Sequence, residues 1–327
     1  MTPIRSIRSL IAALACFALC ALAHAQAWSP SKPIRFIIPQ LAGGGADAIG
    51  RTIAQGLSDR VGQPVIVENR PGANGGVGAD ALLRSPADGY TVMLVFTSLM
   101  ALNPVVYAKV PYDPIGDFVQ IGSVCELPLV LVGNQSLDVA NAAELVARAK
   151  AKPGQIFAGS SGNGAFTHLL LEMVNHHAGI KLVHVPFKGE AAAVQHLLTN
   201  QDAVVYFGTV GATLPHIQTG KMKPLAVSTA RRVEQLPYVA TLKEQGVGDF
   251  NESFWFGVAS KTGTPLPAAD AYQQHVAEVA RTPAIIQSLA KFGCTPMQLS
   301  GAALGARIKL EMDKYGVIAK SVGMRVD

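Results

Sequence analysis

The chain has 327 residues, of which 49% are hydrophobic and 15% are charged, and its formal net charge is +5. This composition is typical of a compact protein with large buried sheets and excludes a disordered chain. The charge is mildly basic without a basic run, which excludes a nucleic-acid-binding surface and modestly favours anionic small molecules as partners. A chain of this length predicts two domains, because single cores rarely grow beyond roughly 250–300 residues.

The pattern of residues 1–27 predicts a cleaved secretory signal peptide. They contain two arginines, then an apolar stretch, then small-residue cleavage sites after Ala25 and Ala27. The apolar stretch is shorter than the roughly 20 residues of a membrane helix, and no later segment is long and apolar enough to be one. We therefore expect a soluble mature protein that is secreted by means of this cleavable signal.

Two cysteines, Cys125 and Cys294, remain after the signal peptide. In an oxidising compartment they can pair, and two separate buried thiols are the alternative. The chain has no C-x-x-C pair, and its histidines lack metal-ligand spacings such as H-E-x-x-H. The sequence therefore predicts neither a metal site nor a bound cofactor.

Strands alternate with helices from residue 34 onward, which predicts an α/β fold. The predicted strands occupy residues 34–38, 65–67, 90–96, 125–131, 182–185, 204–207, 224–229 and 254–257, with another short strand before residue 159. The predicted helices occupy residues 47–61, 77–83, 142–151, 212–219, 266–280 and 283–292, with further helices around residue 168, from residue 191, and from Leu304 to Val322. Ligands bind outside the carboxyl ends of the strands in open α/β sheets, so the loops after these strands are the candidate sites.

The loop after the first strand is typical of an anion site. Three adjacent glycines, Gly43, Gly44 and Gly45, let a ligand approach bare amides, and the helix start adds unpaired N–H groups and a positive dipole end. Asp47 either contacts the ligand or only caps the helix. The spacing also fits the dinucleotide fingerprint G-x-G-x-x-A with Glu68 as its acidic residue. Against that alternative, four residues separate the strand from the first glycine, where the fingerprint needs a tight turn.

A second loop of small residues, at 159–164, repeats this design before a helix. Two anion-accepting helix starts in two halves of the chain indicate a ligand held between them. The same loop also resembles a degraded nucleophile elbow with Ser160 as the nucleophile. That hydrolase alternative requires a later acid and histidine, nominally Asp202 with His216 or Asp249 with His275.

Three further side chains follow predicted strands. Ser98 is either a ligand contact or a turn residue. Lys188 either offers a positive charge to an anion or lies in solvent. Phe187 either lines an apolar pocket or packs in the core.

Several blocks of the chain match one family in order. They are PIR at 33–35, GGGAD at 43–47, ENRPGA at 68–73, PADGYT at 86–91, GSSGNG at 159–164 with His168, VPFKG at 185–189, LPHI at 214–217, LAV at 225–227, and WFG at 255–257 with GTP at 263–265. With these blocks the chain resembles the Bug-type, TctC-like receptors of tripartite tricarboxylate transporters over essentially its whole mature length.

The resemblance implies a two-domain periplasmic-binding-protein (Venus-flytrap) fold, in which each domain is a mostly parallel sheet flanked by helices. The first domain would comprise residues 28–126 and 250–327, and the second residues 127–249. Such a receptor would capture a small organic acid or amino acid in the periplasm as a monomer, without a cofactor or catalytic residues. Its partners would be the membrane components of a tripartite transporter, or alternatively a membrane sensor to which it signals.

The resemblance also implies which residues bind the ligand. The first glycine loop and the Ser160–Thr167 segment would hold a carboxylate, and the Pro186–Glu190 loop would complete the pocket. The predicted contacts are Gly43, Gly44, Gly45, Asp47, Ser98, Ser160, Ser161, Gly162, Gly164, Phe166, Thr167, His168, Phe187, Lys188, Gly189 and Glu190. Glu190 departs from the family pattern, where a small residue is usual. It would repel a second ligand carboxylate or favour a ligand amino group if it faces the cleft, and the alternative is that it points to solvent.

Overall fold

The computed structural model describes residues 28–326, and the predicted signal peptide lies outside them. The strands in this range are β1 Ile34–Ile38, β2 Val65–Asn69, β3 Thr91–Phe96, β4 Phe118–Gly133, β5 Phe157–Ser160, β6 Val183–Pro186, β7 Val204–Thr209, β8 Lys223–Val227, β9 Ser253–Lys261 and β10 Thr295–Pro296. The helices are α1 Gly45–Val61, α2 Gly76–Leu83, α3 Asn103–Val106, α4 Ala142–Ala151, α5 Phe166–Ala178, α6 Glu190–Thr199, α7 Val210–Gln218, α8 Leu266–Val279, α9 Pro283–Ala290 and α10 Gly301–Ser321, with short helical turns at Ala73–Gly75 and Ser98–Leu102. No helix within this range is long and apolar enough to cross a membrane.

The strands form a mixed sheet in the order β2-β1-β3-β9-β4-β7-β5-β6, with β8 and β10 pairing with β4 outside this path. β1 is parallel to β2 and β3, and β5 is parallel to β6 and β7. β9 and β4 are antiparallel to their neighbours. The α/β class is confirmed, but the sheet is mixed rather than mostly parallel. The reason is that β4 leads out of the first half and β9 leads back, so the two crossing strands run in opposite directions.

Strand β4 belongs to both halves of the molecule. Residues Phe118–Pro128 pair with β9, and residues Leu129–Gly133 pair with β7. The sequence predicted this strand only over 125–131, because Gln120, Gly122 and Ser123 interrupt the apolar pattern of its first half.

The pairing also sets the direction of the strands in each half. β3 is antiparallel to β9, and β9 is antiparallel to β4, so β1, β2 and β3 run in the same direction as β4, toward the second half. β5, β6 and β7 run against β4, toward the first half. The carboxyl ends of the two sets of strands therefore point at each other.

Apolar side chains pack into separate clusters in the two halves. One cluster consists of buried apolar residues from the ranges 34–127 and 255–308. Another consists of buried apolar residues from the ranges 101–106, 129–250 and 315–324. Helix α10 contributes to both, since its amino-terminal half packs in the first cluster and its carboxyl-terminal half in the second. The domain bounds given above stay a prediction.

The segment after β3, which the sequence predicted as one of the loops that follow strands, is instead a helical turn at 98–102 followed by α3. Leu99, Met100, Ala101 and Leu102 are all fully buried. Backbone amides and carbonyls in such a place need hydrogen-bond partners, and a helical turn supplies them.

Cys125 and Cys294 form a disulfide, with their Cα atoms 5.6 Å apart. It joins β4 to the segment just before β10. This result decides between the two alternatives that the sequence left open.

Candidate functional site

The carboxyl ends of strands from both halves meet near the middle of β4. Phe96, the last residue of β3, pairs with Phe256, which pairs with Cys125 of β4. Thr209, the last residue of β7, pairs with Leu129 of β4. The two levels are four residue steps apart along β4, from Cys125 to Leu129, which is roughly 13 Å at the rise of a strand. The loops after β1 and β3 therefore face the loops after β5, β6 and β7 across an interdomain cleft.

The glycine loop after β1 forms one wall of this cleft, and its three glycines are exposed. Gly43 has a φ of 83°, in the left-handed region that favours glycine. Helix α1 begins after Gly44 with no side-chain cap, and the amides of Gly45 and Ala46 donate to no group among the described residues. Unpaired first-turn amides at the positive end of a helix dipole suit a carboxylate.

Asp47 lies behind the glycine loop and holds it. The buried carboxylate accepts hydrogen bonds from the Gly43 amide (2.9 Å), Arg51 Nε (2.9 Å) and Asn69 Nδ2 (2.8 Å). Burial acts to raise the pKa of Asp47, but these hydrogen bonds together lower it below its ordinary value. Asn69 also donates to the Gln40 carbonyl, so the whole turn is fixed from its inner side.

The loop after β5 forms the opposite wall. The Ser161 amide donates to Oγ1 of the buried Thr167 at 2.9 Å. The Phe187 amide donates to the Ser160 carbonyl and the Gly189 amide to the Ser161 carbonyl, so the loops after β5 and β6 form one surface. Helices α5 and α6 both begin there without side-chain caps, which brings two more helix N-termini to the cleft.

Ser160 belongs to a buried hydrogen-bonded cluster. Its hydroxyl lies 2.6 Å from His184 Nε2 and donates to the Gly162 carbonyl at 3.0 Å. Burial, and then the charge of His168, lower the pKa of His184 to about 4. The rings of these two histidines stack with centroids 3.7 Å apart. Ser160 is fully buried, so its hydroxyl is not presented to a substrate.

The structure gives other roles or positions to the acidic residues of both enzyme alternatives. Asp202 precedes the amino end of β7, whereas Ser160 lies at the carboxyl end of the adjacent β5. Asp249 is ion-paired with Lys243 at 2.8 Å. Glu68, the acidic residue of the dinucleotide alternative, is ion-paired with two arginines. No cluster of His, Cys, Asp or Glu among residues 28–326 is arranged to hold a metal ion.

Four other predicted contacts occupy different environments. Lys188 is exposed beside the cleft, and Phe187 is half-buried. Ser98 is buried at the start of the helical turn after β3. Phe166 is buried in the second apolar cluster, so it contributes to the core under the cleft.

Gly164 and His168 lie on the side of the β5 loop that meets the carboxyl-terminal segment. A Cβ atom at Gly164 would come within 2.5 Å of Val326, and the Gly164 amide donates to His168 Nδ1 at 3.3 Å. Both residues line a cavity of about 370 Å³ together with Glu172 and residues 322–326.

Glu190 does not extend into solvent. Its Oε1 accepts a hydrogen bond from the Thr209 amide at 2.7 Å, and its Oε2 accepts one from Thr209 Oγ1 at 3.1 Å. Thr209 ends β7 and caps α7, so this carboxylate lies at the cleft edge of the second half. Burial raises the pKa of Glu190, while its hydrogen bonds from Thr209 act in the opposite direction.

Two residues near the cleft were not among the predicted contacts. Phe254 pairs with Leu127, between the two levels of β4, and its ring centroid lies 5.7 Å from that of Phe96 and 5.9 Å from that of Phe166. Tyr206 is fully buried, and its hydroxyl has no hydrogen-bond partner among residues 28–326. The apolar strand pattern signalled Phe254, whereas nothing in the local sequence marks Tyr206, because its neighbours come from other strands.

Residues 49–324 match the model of a family described as "Tripartite tricarboxylate transporter family receptor", TctC. The chain belongs to this family. As a member of the family, it is a solute-binding receptor and not an enzyme, which confirms the expectation from the sequence.

Relatives of known name and structure agree with this assignment. Protein BugT of Bordetella pertussis is 32% identical over 298 residues, which cover 91% of each chain. The structure of R. palustris Rpa4515 with adipate has a TM-score of 0.80 at 29% identity, over 90% of this chain and 99% of that one. The periplasmic binding protein BugD has a TM-score of 0.77 at 28% identity, over 90% of this chain and 99% of its own. These likenesses confirm the two-domain receptor fold.

Proposed function

We propose that this chain is a periplasmic receptor that closes on a small organic acid and holds the carboxylate of the acid in the interdomain cleft. The observation that carries the proposal is the opposed direction of the strands, which brings the uncapped first turns of α1 and α5 to facing edges. The adipate in the R. palustris relative supports the same ligand class. Its partners would be the membrane components of a tripartite transporter, as the family name indicates.

The energetics of such a site are reasonable. Burying a carboxylate has an effective cost of several kcal/mol, and each hydrogen bond to a charged group contributes roughly 1.5–3 kcal/mol. Micromolar affinity needs about −8 kcal/mol in total. Three or four amides offset the desolvation cost, and the apolar surface of Phe254 and Phe187 contributes the rest when the halves close about β4 and β9.

The test is binding of acids to protein that has been unfolded and refolded to remove any carried ligand. A panel of mono-, di- and tricarboxylates and amino acids is screened by thermal shift, and positive compounds are titrated calorimetrically. At 100 times its Kd, a true ligand stabilises the native state by about 2.7 kcal/mol. If none of the acids binds, the proposal is overturned.

A proline substitution tests the glycine loop directly. Gly45 is the first residue of α1, and Gly44 before it is extended, so Gly45→Pro removes one unpaired amide while the helix is retained. We expect acid affinity to fall about tenfold or more, because one hydrogen bond to a charged group is lost. Leu266→Pro is the matched control, since Leu266 is exposed at the first position of α8, far from the cleft. Equal affinities of the two variants would contradict the proposal.

A further inference from the structure

The side chain of Glu190 occupies a place where a ligand anion would otherwise be attracted. Helix α7 begins at the cleft edge of β7, and the N-terminus of a helix attracts negative groups. Glu190 already supplies one, since its two oxygens accept hydrogen bonds from the amide and hydroxyl of Thr209. The chain thus carries its own carboxylate at this point of the cleft.

A second ligand carboxylate is unfavourable beside this side chain. Two like charges a few ångström apart repel strongly where burial reduces solvent screening. A hydrogen-bond donor is favourable there, because an ionised carboxylate has about four acceptor positions and Thr209 uses two of them.

A second polar group, without a partner in the described part of the chain, lies under the helix that begins at Glu190. Tyr206 lies on β7, three residues before Thr209, and is fully buried. Its hydroxyl has no hydrogen-bond partner among the described residues, although buried hydroxyls normally have one. Tyr206 packs in one buried cluster with Ala193 and Val194 of α6, the helix that begins at Glu190.

We propose that Glu190 restricts the ligand to a monocarboxylate whose far end carries a hydrogen-bond donor, such as an amide, a hydroxyl or an ammonium group. This inference rests on the proposed function, since it assumes that the first ligand carboxylate binds at the glycine loop. In this arrangement the glycine loop selects for one carboxylate and Glu190 selects against another.

The experiment compares acids that differ only at the far end. Dicarboxylates of four to six carbons, adipate included, are titrated against their monoamides and against ω-amino acids of equal length. The wild-type protein is expected to bind at least one monoamide or amino acid about tenfold or more tightly than the matched dicarboxylate. In Glu190→Gln this preference is expected to fall about tenfold or more, because the charge is removed while an oxygen remains to accept from Thr209.

Glu144→Gln is the matched control. Glu144 also lies in the first turn of a helix of the second half and accepts a hydrogen bond from a backbone amide, of Ala140, but it is exposed on α4. This variant should keep the wild-type preference. Should Glu190→Gln fail to fold, the comparison of matched acids on the wild-type protein still tests whether a second ligand carboxylate is disfavoured.

The outcomes separate this inference from the proposed function. Wild-type preference for dicarboxylates, or an unchanged preference in Glu190→Gln, overturns the role of Glu190 and leaves acid binding intact. Absence of binding by every acid in the wider panel overturns the proposed function, and the role of Glu190 with it.

Discussion

Asp47 places a negative charge directly behind a loop proposed to bind a negative ligand. The structure neutralises that charge locally, because Arg51 and Asn69 donate to the carboxylate together with the Gly43 amide. The remaining amides of the turn stay free for the ligand. One residue therefore both orders the glycine loop and turns its unpaired amides outward.

Substituting Asp47 by Ala should affect both stability and binding. The variant loses hydrogen bonds to a charged group, so we expect a loss of about 2 kcal/mol in the free energy of unfolding. Acid affinity should fall as well, because Gly43 is no longer held. The stabilisation by Asp47 should be present above the pKa of an unfolded aspartate and be lost as the pH falls through the lowered folded value. Urea denaturation and calorimetric titration measure the two effects.

Asp80→Ala is the control for this experiment, since Asp80 forms an exposed ion pair with Arg84 on α2. Such a pair contributes little to stability. Destabilisation of Asp47→Ala with unchanged affinity would show that Asp47 only supports the fold.

At the scale of single elements, the connection between the halves is a packed polar core as well as two crossing strands. Arg307 on α10 donates to Glu311 at 2.7 Å and to Ser253 of β9 at 3.1 Å. Glu311 also accepts from the indole of Trp255 at 2.9 Å, and Ser253 donates to Glu126 of β4. Helix α10 is thereby fixed to both crossing strands at the level of the cleft.

Replacing Arg307 by Met should destabilise the protein by about 3 kcal/mol, because Glu311 is left buried without its cation. Burial already raises the pKa of Glu311. Arg84→Met is the control, since Arg84 is highly exposed and its loss should cost roughly 0–1 kcal/mol. Urea denaturation measures both variants. A loss below 1 kcal/mol for Arg307→Met would mean that the network contributes no net stability.

The sequence predicted the elements that have a local signal and missed those that depend on distant partners. The glycine loop was located because three glycines stand between an apolar strand and a helix. The first half of β4 was missed because it is a strand through its pairing with β9, more than 120 residues later. The sequence also left open whether Glu190 faces the cleft or points to solvent. Its partner Thr209 is distant in sequence and is brought to it only by the packing of α6 against β7.

At the scale of the whole molecule, the Cys125–Cys294 disulfide closes a loop with a sequence separation of 169 residues. Restricting so long a loop in the unfolded chain stabilises the native state, by about 2–4 kcal/mol in typical cases. The double variant Cys125→Ala with Cys294→Ala should show this loss in urea denaturation. Dithiothreitol should destabilise the wild-type protein and leave the double variant unchanged. Coincident unfolding curves of the oxidised and reduced wild-type protein would contradict this prediction.

The two ends of that covalent loop lie in the first half, on β4 and just before β10, and the loop contains the main part of the second half. A protease that cuts once between residues 126 and 293 therefore produces two fragments that remain joined through sulfur. Such a nicked receptor migrates as one band without reductant and as two bands with it. The second half therefore stays covalently attached to the first half even when one of the two peptide connections between them is cut.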